Sequence, residues 1–169
     1  MHHRRAAVID IGTNSIRLLI AERIGDQWVT VDKQLNTTRI GEGVHHSGKL
    51  SQKGMERTIL GIESFREHAL AAGVEQIRCF ATSAVRDAEN REDFVNALKV
   101  RTGLDVEILS GEDEAELGFI GAVGRTTADR VGVIDIGGGS TEIIYGGKDG
   151  IIGAVSVNMG AVRIMEQFP

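Results

Sequence analysis

One pentapeptide occurs twice in this chain: Val8-Ile9-Asp10-Ile11-Gly12 returns as Val133-Ile134-Asp135-Ile136-Gly137. The match continues past the identical residues. Ser15 falls on Ser140, and the apolar Leu18, Leu19 and Ile20 fall on Ile143, Ile144 and Tyr145. Each copy reads as a buried strand, a polar glycine-containing turn and a second β-rich segment, a hairpin with an aspartate at the end of its first strand. A chain that repeats such a hairpin is built from two related units.

Between the copies the pattern is α/β. Strands are expected over residues 6–11, 16–23 and 27–38, with Gly25-Asp26 turning the last two. Residues 41–48 read as a loop. Ser51 is placed to cap a helix whose apolar face is Met55, Ile59, Ile62, Phe65 and Ala69, stopped by Gly73. A short strand follows over 76–82. Asn90 is expected to cap a second helix that ends at Gly103, and residues 104–109 give another strand. Ser110 opens a third helix through about 123, with Asp113 three positions on in a capping-box arrangement. Three strands, helix, strand, helix, strand, helix complete one layered mixed unit over 1–124. Residues 125–169 repeat only its opening: three short strands and a helix start from Gly160. At the repeat offset a second unit of like length would end near residue ~250, so the sequence is expected to be a piece of a longer protein.

Composition narrows the function. Aromatics make up 4% of the chain, so the core must come from aliphatic residues, and a solitary Cys79 excludes an internal disulfide framework. No run of about 18 apolar residues or signal-like segment points to a membrane, and a cytoplasmic, reducing setting is expected. The net charge of −5 argues against general nucleic-acid affinity. A polyanionic substrate would need local cations within a repelling field.

The two turns can supply that locally. Asp10-Ile11-Gly12-Thr13-Asn14-Ser15 and Asp135-Ile136-Gly137-Gly138-Gly139-Ser140-Thr141 combine glycines, which let backbone N–H groups approach an anion, with hydroxyls on Thr13, Ser15, Ser140 and Thr141. Asp10 and Asp135 would repel phosphate directly and make sense as ligands of Mg²⁺ or its waters. Facing each other, the two tips would hold one phosphate from both sides. Each taken alone also reads as a tight turn with aspartate as turn former. Arg17, Arg39 and Arg86 are candidate anion clamps, and each also reads as an ordinary solvated arginine. Glu112, Asp113, Glu114 and Glu116 crowd the start of the third helix, where the macrodipole favours acids. Spacing does not select a general base among them.

Four blocks, in order, resemble the exopolyphosphatase and guanosine pentaphosphate phosphohydrolase family: residues 7–15, 81–90, 108–115 and 133–142. The resemblance implies two ribonuclease H-like lobes of the actin, sugar kinase and heat-shock chaperone superfamily, the first complete and the second begun. It implies Glu114 as the base that activates water, and Arg86 as a substrate-contacting arginine. Asp10, Asp135 and Glu142 match acidic positions around metal and phosphate, and Gly137 to Ser140 match the second phosphate loop. Arg17 and Asn14 fall in or beside the first. Thr13 stands where serine is more usual in the family. Mg²⁺, or alternatively Mn²⁺, is the implied cofactor, and polyphosphate or guanosine pentaphosphate the implied substrate.

The expected reaction is in-line attack of water on a terminal phosphoryl group. Other readings stand beside it: a guanosine pentaphosphate phosphatase, a kinase of the same superfamily, and an inactive phosphate-binding or self-associating fragment. Residues 131–169 carry Val133, Ile134, Ile136, Ile143, Ile144, Ile151, Ile152 and Val155 without a lobe of their own, so a homo-oligomer through this segment, or disorder and proteolysis within it, is expected.

Overall fold

A computed structural model describes residues 4–124 and 126–168. They form two compact units that divide between Ile108 and Leu109.

In the first unit, β1 (Arg4–Ile11), β2 (Ile16–Ile24) and β3 (Gln27–Asn36) run antiparallel, and β4 (Gln76–Ala81) and β5 (Val106–Ile108) add in parallel, giving the sheet order β3-β2-β1-β4-β5. The helices are α1 (Val44–Ser47), α2 (Gln52–Ala71), α3 (Ser83–Arg86) and α4 (Arg91–Thr102). Ile9 and Ile11 of β1 and Ile16, Leu18 and Ile20 of β2 are buried, as are Met55, Ile59, Ile62, Phe65 and Ala69 of α2 and Phe94 and Leu98 of α4. Each of the Ile, Leu, Met and Phe side chains among them contributes about 1.5–3 kcal/mol on burial, so this shared core fixes the ends of β1 and β4.

Local signals act largely as their chemistry dictates. The Ser51 hydroxyl accepts from the Gly54 amide at 3.1 Å and starts α2, and Gly103 ends α4 in the left-handed conformation. Asn90 precedes α4 but does not cap it with its side chain. Its amide instead clasps the Leu50 backbone, accepting from the N–H at 2.8 Å and donating to the carbonyl at 3.1 Å, which uses both its oxygen and its nitrogen where a cap would use only the oxygen. The expected loop at 41–48 contains the single turn α1.

The second unit holds α5 (Gly111–Val123), a three-stranded antiparallel sheet of β6 (Val131–Ile136), β7 (Thr141–Gly147) and β8 (Gly150–Val157), and α6 (Ala161–Gln167). A division at 124 assigns α5 to the first unit, but the contacts place the boundary at 108/109. The reason is packing: Ala115 and Phe119 of α5 form a core with Ile144 of β7, joined by Val133 of β6. The opposite sheet face leaves Ile134, Ile136, Ile143, Tyr145 and Val155 exposed. Among the described residues, no helix is long and apolar enough to cross a membrane.

Candidate functional site

The repeat is preserved at the level of strand register. Asp10 pairs with Arg17 and Ile11 with Ile16 across β1 and β2; Asp135 pairs with Glu142 and Ile136 with Thr141 across β6 and β7. Both turns close with the same bond, Gly12 N–H to the Ser15 carbonyl at 3.1 Å and Gly137 N–H to the Ser140 carbonyl at 2.9 Å.

Beyond that bond, the two tips share an arrangement of backbone donors and acceptors. In the first, the Thr13 carbonyl accepts from Gly41 N–H and the Asn14 carbonyl from Arg39 N–H, both at 2.9 Å. In the second, the Gly138 carbonyl accepts from Val162 and Arg163 amides at 2.9 and 3.1 Å, and the Gly139 carbonyl from Arg163 Nε at 2.9 Å. The carbonyls at these paired positions are thus satisfied, whereas the amides of Thr13, Asn14, Gly138 and Gly139 donate to no group among the described residues. Successive unpaired N–H groups with their carbonyls held elsewhere form an anion-binding nest.

Three of the tip hydroxyls have partners within the protein. Thr13 Oγ1 lies 2.9 Å from Ser83 Oγ, Ser15 Oγ lies 3.3 Å from Thr37 Oγ1, and the Thr141 hydroxyl donates to the Met159 carbonyl. Three of the four therefore brace the tips. The Asn14 side chain is local too, donating to Ser15 Oγ at 3.2 Å.

The first unit brings the first two sequence blocks together. Ile11 pairs with Ala81 across β1 and β4, and the Thr82 amide donates to the Ile11 carbonyl at 3.2 Å. The Thr13–Ser83 bond then seats α3, which ends in Arg86, against the tip. Arg86 Nε is 3.6 Å from Asp87 Oδ1, and Arg17 Nη1 is 3.2 Å from Asp10 Oδ2. Asp10 is therefore in a partly exposed ion pair through Oδ2.

The second unit brings the other two blocks together. Ser110 and Asp113 form the expected capping box, with the Asp113 amide donating to Ser110 Oγ at 3.1 Å and the Ser110 amide donating to Asp113 Oδ2 at 3.2 Å. The Ser110 hydroxyl, which donates to the same carboxylate, and then the Ser110 amide hold the Asp113 carboxyl below its ordinary pKa. Asp113 thus has a structural account, as the macrodipole argument anticipated. Glu114 lies one helical turn before Gly118, on the same helix face; a Cβ on Gly118 would stand 3.7 Å from Asp135 Oδ2. Glu114 is half-buried, and its amide donates to the Ser110 carbonyl at 3.0 Å. Glu142 is buried and accepts from Ser156 Oγ at 2.7 Å. Ser156 escaped sequence reasoning because nothing in its neighbourhood marks it; a Cβ on Gly111 would lie only 2.8 Å from the Ser156 Cβ, so the first turn of α5 rests on this strand.

Asp135 and Glu142 are directly opposed on one sheet face, an arrangement destabilised by like charge and suited to a divalent cation that accepts one or two carboxylates and retains water. No group of three or more His, Cys, Asp or Glu residues positioned for a metal occurs among the described residues; the opposed pair is the part of the expected ligand set that this unit assembles.

Comparison with known proteins agrees with this arrangement of blocks. Residues 19–169 match the model of the Ppx/GppA phosphatase family. The chain is 39% identical over 172 residues to the bifunctional 3-dehydroquinate synthase/phosphatase of Fusobacterium nucleatum, covering 96% of this chain and 26% of that protein. It is 36% identical over 168 residues to exopolyphosphatase 1 of Mycobacterium bovis, covering 97% of this chain and 48% of the relative. The solved structure of an exopolyphosphatase from Cytophaga hutchinsonii superimposes with a TM-score of 0.93 at 31% identity, over 98% of this chain and 54% of that one. The chain thus spans about half the length of these exopolyphosphatases, and a smaller share of the bifunctional protein. With the matched blocks, the shared fold and a family match over most of its length, the chain belongs to the Ppx/GppA phosphatase family.

Proposed function

We propose that this sequence carries the water-activating glutamate and two phosphate cradles of a phosphoanhydride hydrolase that releases terminal orthophosphate from inorganic polyphosphate. The observation that carries the reading is the shared backbone of the tips: at both, carbonyls are satisfied by neighbouring groups while two successive amides remain free to donate. The names of the exopolyphosphatase relatives supply the substrate class.

In this mechanism the water oxygen attacks the terminal phosphorus, and the bridging P–O bond on the far side breaks. Glu114 accepts the proton of the attacking water, which requires an ionised carboxylate within hydrogen-bond reach. Charge in a loose transition state spreads over the phosphoryl oxygens, and the free amides of Gly138 and Gly139, in the same unit as Glu114, are donors for it; the first unit offers donors of the same kind to a phosphate oxyanion, the amides of Thr13 and Asn14 and the guanidinium of Arg86. Donors already aimed at developing charge need no reorganisation during the reaction. Asp135 and Glu142 would hold Mg²⁺, which when bound neutralises phosphoryl oxygen charge. Ser156 fixes the Glu142 carboxylate through its 2.7 Å hydrogen bond.

The test is Glu114→Gln in a two-lobed protein containing this sequence. Phosphate release should fall by roughly 10²–10⁴, the usual contribution of a positioned acid or base, while polyphosphate affinity is kept. Equal losses in release and affinity would remove Glu114 from the proton-transfer role.

A further inference from the structure

We propose that Arg39 is the clamp of the first tip, a fixed cation that binds an oxyanion of the phosphate chain beside the Thr13 and Asn14 amides. This rests on reading the tips as phosphate cradles and adds a residue that sequence reasoning left undecided.

Three observations converge on it. Arg39 is the one non-glycine residue with positive φ among the described residues, at 51°. That left-handed conformation disfavours any side chain with a Cβ, and is best tolerated by glycine, asparagine and aspartate. The loop has glycines at 41 and 43, yet keeps an arginine at the strained position. Strain of this kind gathers at ligand sites, where the surrounding structure imposes it.

The imposing contacts are visible. Arg39 N–H donates to the Asn14 carbonyl and Gly41 N–H to the Thr13 carbonyl, both at 2.9 Å. Arg57 holds the other side of the loop, its Nε donating to the Thr38 carbonyl at 3.0 Å and its Nη2 to the Arg39 carbonyl at 3.5 Å. The Arg39 backbone is thereby fixed next to the two free amides of the tip, within reach of an arginine side chain.

The third observation concerns charge. Arg17 already faces Asp10 at 3.2 Å and Arg86 faces Asp87 at 3.6 Å. The guanidinium of Arg39, an exposed residue, has no hydrogen-bond or ion partner among the described residues. A guanidinium presents a planar fork of donors suited to a phosphate oxyanion.

The conformational strain makes the test sharp. Asparagine keeps the left-handed backbone and removes the charge; lysine keeps the charge. Binding of polyphosphate of defined length to the chain would be measured by titration calorimetry at low salt, with thermal unfolding alongside. Arg39→Asn should weaken binding about tenfold or more, a charge-assisted hydrogen bond's worth, and reduce its salt dependence, with a melting temperature equal to or above that of the parent chain. Arg39→Lys should retain most of the affinity. Unchanged affinity in Arg39→Asn, with Arg17→Ala or Arg86→Ala weakening binding, overturns the clamp while leaving the cradle intact. No binding by the unmodified chain overturns both.

Discussion

Gly41 is the point where the supporting loop touches the first tip most closely, and its replacement tests how that tip is held. A Cβ added at Gly41 would stand 2.3 Å from Thr13 Cγ2 and 3.1 Å from both Ala84 Cβ and the Thr13 carbonyl oxygen. Carbon atoms prefer about 3.5–4.0 Å, so the first contact is more than an ångström too short. The loop cannot simply retreat, because the Gly41 amide is bonded to the Thr13 carbonyl. Rotating the Thr13 side chain to move its methyl would give up the Thr13–Ser83 hydrogen bond. Gly41→Ala should therefore destabilise the first unit by about 2 kcal/mol, within the usual range for overpacking. Thr13→Ser removes the offending methyl and keeps the hydroxyl, at a cost of about 0.8 kcal/mol for one buried carbon. Added independently the two would cost roughly 3 kcal/mol. In the double variant the worst clash is gone, so the expected total is about 1–1.5 kcal/mol, a coupling well inside the range for residues in contact. The sole tryptophan, Trp28, lies on β3 of the first unit, and the sole tyrosine, Tyr145, lies in the second. Urea unfolding followed by Trp28 fluorescence therefore reads the first unit. Strict additivity in the double variant, or a Gly41→Ala midpoint equal to wild type, would refute the account of how the tip is braced.

Two further outcomes follow from burial. Burial, with a smaller contribution from the negative charge of Asp10, pushes the Cys79 thiol up to about 12. Between the ordinary thiol value and about 12 the folded chain holds a proton that the unfolded chain releases, so stability should decline as pH rises through that window, and Cys79 should react with a thiol reagent at pH 8 only after unfolding. The uncovered face of the second sheet, with Ile134, Ile136, Ile143, Tyr145 and Val155, should drive concentration-dependent association of the 169-residue chain; a monomer by light scattering at high concentration would contradict this.

Much of the fold was legible because its signals are local. The α2 face reads from Met55 to Ala69 at helical spacing, and Ser51, Gly103 and Ser110 mark helix ends through their own backbone chemistry. The repeat exposed the two tips because the same register needs the same residues. Long-range contacts were less legible. Asn90 carries the cap signal but bonds to Leu50, forty positions away, and α5 follows the first sheet in sequence yet packs with the second. At the site, sequence marked glycines and hydroxyls but not their division of labour, since whether Thr13 faces an anion or Ser83 depends on a partner 70 residues distant. The strain at Arg39 is a backbone property that its residue type does not reveal.

Amide chemical-shift mapping of the chain with added polyphosphate addresses the cradles themselves. The largest shifts and the greatest slowing of solvent exchange should fall on the amides of Thr13, Asn14, Gly138 and Gly139, as phosphate oxygens accept from them. Shifts that leave these four amides untouched and scatter over surface arginines and lysines would contradict the central claim.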